Sequence, residues 1–321
     1  MSWSLADIPA QDGRRVVVTG ANGGLGLQTA KELARRGASV VLAVRDTARG
    51  AKAVDVIRRE VPDARLEVAA LDLADLSSVR AFAAAQEAAG EPLDLLINNA
   101  GVMATPPRTT ADGFELQLGT NHLGHFALTG LLLDRLRAAP APRVVTVSSQ
   151  AHRLGSIDFD DLNWQRSYGP WKAYGRAKLS NLLFARELQA RADAAGLPLR
   201  SLAAHPGYSS TGLQITGPGM SGGLVGRLNA LGGRVGNLLI GTSDAYGALP
   251  TLRAATDPEM PGGGFVGPRR LGQTRGAIGL VSSTAAGRDM DVARRLFDVS
   301  EELTGVDFGL PAAAAGAGVA R

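Results

Sequence analysis

Short runs of β-branched and other apolar residues alternate along this chain with longer stretches of helical periodicity. Arg15-Val16-Val17-Val18 reads as a buried strand, and Leu25 to Arg36 follows as an amphipathic helix stopped at Gly37. Ser39 to Val44 is the next strand. Arg65 to Leu71 and Leu93 to Ile97 are two more, with an Ala-rich helix from Ser78 to Ala89 between them. Arg143 to Val147 and Leu199 to Ala204 continue the series. Apolar strands that alternate with helices predict βαβ units. The expected fold is therefore α/β, a Rossmann-type doubly wound parallel sheet of about seven strands with helices on both faces. No linker of domain size interrupts the rhythm, so one domain over residues 1–310 is expected.

Two regions break the pattern. Residues 150–173 form a long connection carrying Asp158, Asp160, Asp161, Phe159, Trp164, Tyr168 and Trp171. Residues 207–241 are rich in Gly, with Leu213, Ile215, Met220, Leu224 and Val225 among them. Such a stretch suits a mobile substrate lid, or an irregular loop packed over the sheet. The Ala/Gly tail at 311–321 is low in complexity and is expected to be disordered.

Composition narrows the chemistry. The 321 residues include no cysteine, which excludes disulfides, thiolate nucleophiles and Cys-ligated metals. Four histidines lack metalloprotease spacing, and His122 and His125, three apart, have no acidic neighbour, so no metal site is expected. Net charge is +4, yet the basic residues stand as scattered pairs and only 5% of residues are aromatic, so nucleic-acid binding is not expected. No run approaches the ~18 apolar residues of a membrane span, and the first residues carry no signal pattern, so a cytoplasmic setting is expected.

Two motifs carry chemistry. Thr19-Gly20-Ala21-Asn22-Gly23-Gly24-Leu25-Gly26 follows a strand and opens a helix. Glycines there let the backbone turn tightly and approach a pyrophosphate, and the helix amino end offers free N–H groups to the anion. A second glycine run, Gly262 to Gly267, is followed by Pro268 and no helical pattern, so it reads as a turn before or beside a late strand. Tyr174 and Lys178 stand four apart and share a helix face. An ammonium beside a phenol is expected to lower the tyrosine pKa and suit it to proton transfer with a carbonyl oxygen. Tyr168 and Lys172 have the same spacing, but Gly169 and Pro170 between them argue against a shared helical face.

The glycine loop has the form T-G-x-x-x-G-x-G. Asn98-Asn99-Ala100-Gly101, Asn121, Val147-Ser148-Ser149, the Tyr174/Lys178 pair and Pro206-Gly207 with Thr211 follow it in order. In this set the chain resembles the short-chain dehydrogenase/reductase family over about residues 14–305. Asn121-His122-Leu123-Gly124-His125-Phe126 and Lys178-Leu179-Ser180-Asn181 look most like its retinol-dehydrogenase-like branch.

The resemblance implies a catalytic set of Asn121, Ser149, Tyr174 and Lys178. Tyr174 would be the proton donor in reduction, Lys178 would also bind the nicotinamide ribose, Ser149 would fix the carbonyl oxygen, and Asn121 would hold a water linking Lys178 to solvent. Ser149 is preferred to Ser148 because the family's long serine-to-tyrosine gap lands on it. Cofactor contacts are implied for Gly20, Asn22, Gly24, Leu25, Gly26, Arg45, Asp72, Leu73, Asn99, Ala100, Gly101, Tyr174, Lys178, Pro206, Gly207 and Thr211. At the end of the second strand, Arg45 falls where NADP-preferring members carry arginine. Asp46 is the acidic rival that would favour NAD, and NADP is the expected cofactor. Asp72 is read as meeting the adenine ring, or as a helix-start cap.

The implied activity is interconversion of an alcohol with a ketone or aldehyde on a small hydrophobic substrate. C=C reduction at the same site and non-catalytic NADP sensing are the alternatives. Many members of the family are dimers or tetramers.

Overall fold

The computed structural model describes residues 3–207 and 243–312. The proposed lid at 207–241, from residue 208 on, lies outside the described residues, as do Thr211 and the tail from 313 on. Strands β1 (Arg15–Thr19), β2 (Ser39–Val44), β3 (Arg65–Ala70), β4 (Leu95–Asn98), β5 (Arg143–Val147), β6 (Arg200–Ala204), β7 (Phe265–Arg270) and β8 (Arg275–Leu280) form one sheet in the order β3-β2-β1-β4-β5-β6-β7-β8. All neighbours pair in parallel except β7 and β8, which are antiparallel.

Side-chain alternation along the strands distributes the helices. Val16 and Val18 point to one face, where they join Leu33 of α1 (Gly24–Arg35), Ile57 of α2 (Thr47–Glu60) and Leu252 of α8 (Asp244–Thr256). Val17 points to the other face, with Phe82 of α3 (Leu76–Ala89), Phe126 of α5 (Gly124–Leu131), Phe184 of α7 (Pro170–Ala194) and Phe297 of α9 (Met290–Thr304). Two short helices, α4 (Leu116–Leu118) and α6 (Leu133–Arg137), flank α5. Burial on both faces is why the strands read as unbroken apolar runs.

The strand count is eight, not about seven. The glycine run before β7 is the turn expected of it, since Gly264 leads directly into Phe265. The connection after β5 is shorter than 150–173. A 3₁₀ turn fills Gln150–Leu154, and α7 already begins at Pro170, whose ring suits the first helical turn. Among the described residues no helix is long and apolar enough to cross a membrane.

Candidate active site

Strand order reverses between β1 and β4, and the sequence-predicted residues collect at the carboxyl ends of the strands beside this point. The glycine loop leaves β1, Arg45 follows β2, Asp72 and Leu73 follow β3, Asn99 to Gly101 follow β4, Ser149 follows β5, and Pro206 and Gly207 follow β6.

The glycine loop is shaped by close approach. Gly20 has φ of 66°, and a side chain there would meet Ala100 at 3.0 Å. A carbon on Gly26 would lie 2.5 Å from the Gly20 carbonyl oxygen and 2.6 Å from Asn99 Nδ2, so only glycine lets α1 start this close to the strand ends. Gly23 and Gly24 are open, with no atom within 4 Å of where a side chain would begin. The amino end of α1 has no side-chain cap. Uncapped amides facing open space fit the pyrophosphate of a dinucleotide. Asn22 is half-buried in the same loop, and Leu25 is buried. Asn99 Nδ2 donates to the Thr19 carbonyl at 2.8 Å, joining β1 to the β4 end.

Arg45 is exposed, and among the described residues it makes no hydrogen bond or ion pair. Asp46 is spent otherwise: its carboxylate caps α2, accepting from the Arg49 amide at 3.0 Å. The α3 cap is Asp75, so Asp72 is not a helix-start cap. Its carboxylate accepts from the Ala74 amide, and its own amide donates to Ser78 Oγ. The Leu73 carbonyl packs so close to Gly124 that a side-chain carbon there would stand 2.4 Å away. Gly207, with φ of 72°, turns the chain after β6 against Thr274 and Pro268.

The helix α7 carries Tyr174 and Lys178 on one face. Lys178 Nζ is 5.7 Å from the centre of the Tyr174 ring and donates to the Val147 carbonyl at 2.9 Å. Asn181 Nδ2 donates to that same carbonyl at 3.1 Å. The two serines divide their roles. Ser148 Oγ donates to the Lys178 carbonyl at 2.7 Å, tying the strand to the helix, whereas the Ser149 hydroxyl accepts from the Ala151 amide at 3.1 Å and lies on the Tyr174 side, where it eases ionisation of the phenol.

Asn121 lies in a π-helical turn, Gly119–Leu123, between α4 and α5. Its side chain exchanges hydrogen bonds with the backbone of Val102: Nδ2 donates to the carbonyl at 2.9 Å, and Oδ1 accepts from the amide at 2.8 Å. Gly101 makes room for the meeting. A side-chain carbon there would lie 2.9 Å from Asn121 Oδ1 and 3.7 Å from Lys178 Nζ. These contacts bring Asn121, Lys178, Tyr174 and Ser149 to one place.

A model of the family described as short chain dehydrogenase matches residues 14–216. Human retinol dehydrogenase 13 is 50% identical over 211 residues, which cover 65% of this chain and 62% of that protein. Mouse polyprenol dehydrogenase is 43% identical over 306 residues, 94% of this chain and 87% of that protein. The crystal structure of an uncharacterised protein from Mycobacterium paratuberculosis is 48% identical, with a TM-score of 0.79 over 97% of this chain and 100% of that one. The chain belongs to the short-chain dehydrogenase/reductase family. It falls in the retinol-dehydrogenase-like branch.

For a family member, one electrostatic expectation is corrected. Burial pushes the Tyr174 phenol up to about 12, and the nearby Ser149 hydroxyl only partly opposes it. Burial also pulls the Lys178 ammonium down to about 8. In a dry site both charged forms are disfavoured, and desolvation outweighs the expected help from the lysine.

Tyr168 is no second site. It precedes the Gly169 cap of α7, and its phenol donates to the Thr105 carbonyl and accepts from Gln117 Nε2, each at 2.9 Å. Lys172 is exposed.

Several neighbours escaped the sequence reading. Arg176, between Tyr174 and Lys178, donates to the carbonyls of Ser156, Asp161 and Leu162 and stacks 4.1 Å over Trp164, pinning the loop before α7. Met103 and Ala104 pack on Tyr174, and the half-exposed Trp171 meets its ring edge-on at 6.1 Å. An aromatic one helical turn before Tyr174 was the only available signal. His125 bridges Thr19 and Asn121, two residues far apart in the chain.

Proposed function

We propose that this protein is an NADP-dependent oxidoreductase that interconverts an apolar alcohol and its aldehyde or ketone, with Tyr174 as the acid/base group. The carrying observation is the convergence of Ser149, at the end of β5, with Tyr174 and, one turn along α7, Lys178, at strand ends that also hold an open glycine loop.

The residues present fit a nicotinamide dinucleotide. The loop Gly20, Asn22, Gly24, Leu25 and Gly26 would take its pyrophosphate, and Arg45 the extra phosphate of NADP. Asp72 and Leu73 would flank the adenine. Asn99 to Gly101, Tyr174, Lys178, Pro206, Gly207 and Thr211 would hold the rest. When bound, such a cofactor supplies or accepts hydride.

The chain's own groups do the remaining work. Ser149 donates a hydrogen bond that orients the carbonyl oxygen against the Tyr174 phenol. A phenol held at about 12 gives its proton downhill to a developing alkoxide, so burial favours the donor role in reduction. Lys178, as the ammonium, places positive charge beside the phenolate left behind. The Asn121 side chain is committed to Val102 and its main-chain carbonyl is met by His125 Nδ1, so Asn121 would act by holding the backbone beside Lys178 in place.

Two observations support NADP. Arg45 is exposed and available, while its rival Asp46 is committed to capping α2. A protein from Beutenbergia cavernae assigned as an NAD(P)-dependent gluconate 5-dehydrogenase, 25% identical with a TM-score of 0.59, was solved with NADP bound at low occupancy. For the substrate, the apolar wall of Met103, Ala104 and Trp171 around the phenol supports a hydrophobic molecule. The relatives' names, retinol and polyprenol dehydrogenase, point to isoprenoid primary alcohols.

The test is consumption of NADPH with retinal, a polyprenal and short aldehydes and ketones. Turnover favouring the long isoprenoid aldehydes is expected. Absence of NADPH consumption across the whole panel would contradict the proposal.

A further inference from the structure

We propose that His125 is a positioning residue of this reaction, joining the cofactor-loop side of the site to the Asn121 side through one buried hydrogen-bond chain. The inference rests on the functional reading above.

The chain can be followed atom by atom. The Thr19 hydroxyl, at the end of β1, accepts from the amides of Asn99 and Ala100, each at 2.9 Å. Both of its acceptor positions are then filled, so its own hydrogen must point elsewhere. His125 Nε2 lies 2.9 Å away and the Ile97 carbonyl 3.3 Å, so the histidine is the better partner. On the other side of the ring, Nδ1 is 2.9 Å from the Asn121 carbonyl oxygen. A carbonyl only accepts, so Nδ1 carries the proton and Nε2 is the acceptor that Thr19 requires. The two ends fix the same tautomer independently. His125 is 1% exposed, and both nitrogens have protein partners in a setting where each hydrogen bond is strong.

Each end of the chain holds part of the site. Thr19 leads into Gly20, and the Asn99 and Ala100 amides fix the turn in which Ala100 meets Gly20 and the Asn99 side chain meets Gly26. Asn121 sits in the π turn and meets Gly101 beside Lys178 Nζ. A shift of His125 therefore moves the cofactor loop and the lysine environment together.

Three variants separate the arms. His125→Phe removes both nitrogens, His125→Gln keeps an acceptor near Nε2, and His125→Asn keeps a donor near Nδ1. In the free protein, His125→Phe should speed amide exchange at Asn99 and Ala100 about tenfold, and His125→Gln should restore it. With NADPH, the Phe variant should bind about tenfold more weakly and turn over about tenfold or more slowly. The Gln variant should recover binding more than kcat, and the Asn variant kcat more than binding.

A role in stability alone would lower Tm in all three and speed exchange at buried amides throughout the sheet alike, while leaving NADPH affinity and the kcat of the folded protein unchanged; that result would overturn the inference. Equal losses in the Asn and Gln variants would overturn it too. If the Phe variant does not fold, the Asn and Gln comparison decides. The exchange measurement needs no cofactor. Failure of the wild-type protein to bind NADPH would instead overturn the functional reading on which the inference stands.

Discussion

Tyr174 and Lys178 are both buried, and burial moves their pKa values apart, the phenol up to about 12 and the ammonium down to about 8. Both residues are neutral at the pH between those values. The ammonium, which would stabilise a phenolate, is fully present only below about pH 8. The rate of carbonyl reduction is therefore expected to fall as pH rises through about 8, measured as kcat against pH; a flat profile from pH 6 to 10 would contradict this role for Lys178. Arg45→Ala should weaken NADPH about tenfold or more and leave NADH nearly unchanged, as read by titration of cofactor fluorescence. Equal losses would contradict the NADP assignment. The Tyr/Lys pair and the two serines were legible because they lie on one helix and at one strand end. The sign of the tyrosine shift was not, because desolvation depends on what else packs there. The role of His125 was hidden for a related reason: Thr19 stands 106 positions before it.

Local geometry decides what each element contributes. α1 can begin against the strand ends only because Gly26 has no side chain, so Gly26→Ala should force the loop apart, lowering stability by about 1–3 kcal/mol and weakening NADPH binding together. Asp46→Ala should cost about 1 kcal/mol in thermal or denaturant unfolding through loss of the α2 cap, with the NADPH-to-NADH preference unchanged. A switch toward NADPH in that variant would mean that Asp46, not Arg45, reads the ribose. Elements with a clean period were legible to within a few residues: the helix read from Leu25 starts at Gly24, and the one read from Ser78 starts at Leu76. Others went unread, and two of them show why. β8 contains Gly276 and Gly279 and lies at the sheet edge, so it lacks the apolar run of a buried strand. α8 contains Pro250, which reads as a helix breaker. The π turn around Asn121 is invisible to a 3.6-residue period.

Taken whole, the molecule gathers residues from nearly two hundred positions of sequence at the carboxyl ends of the strands of one sheet, and the order of the motifs along the chain foretold that end. The same burial has a cost in acid. His122, His125 and His205 are held neutral in the fold, at about 3, about 4 and about 3, against 6.5 when unfolded. The unfolded chain thus binds more protons below pH 6.5. Stability is fully present above that value and is lost as pH falls toward the folded values, by about 1.4 kcal/mol per pH unit for each histidine near pH 5. Denaturant unfolding at pH 7 and pH 5 should show this loss; equal stability would contradict the neutral assignment. The central claim is that the Tyr174 phenol transfers the proton in an NADPH-linked reduction. It is tested most directly by Tyr174→Phe, with turnover and NADPH affinity measured on the same preparation. The expected result is a rate at least 100-fold lower with affinity changed less than about threefold. Turnover at the wild-type rate would contradict it.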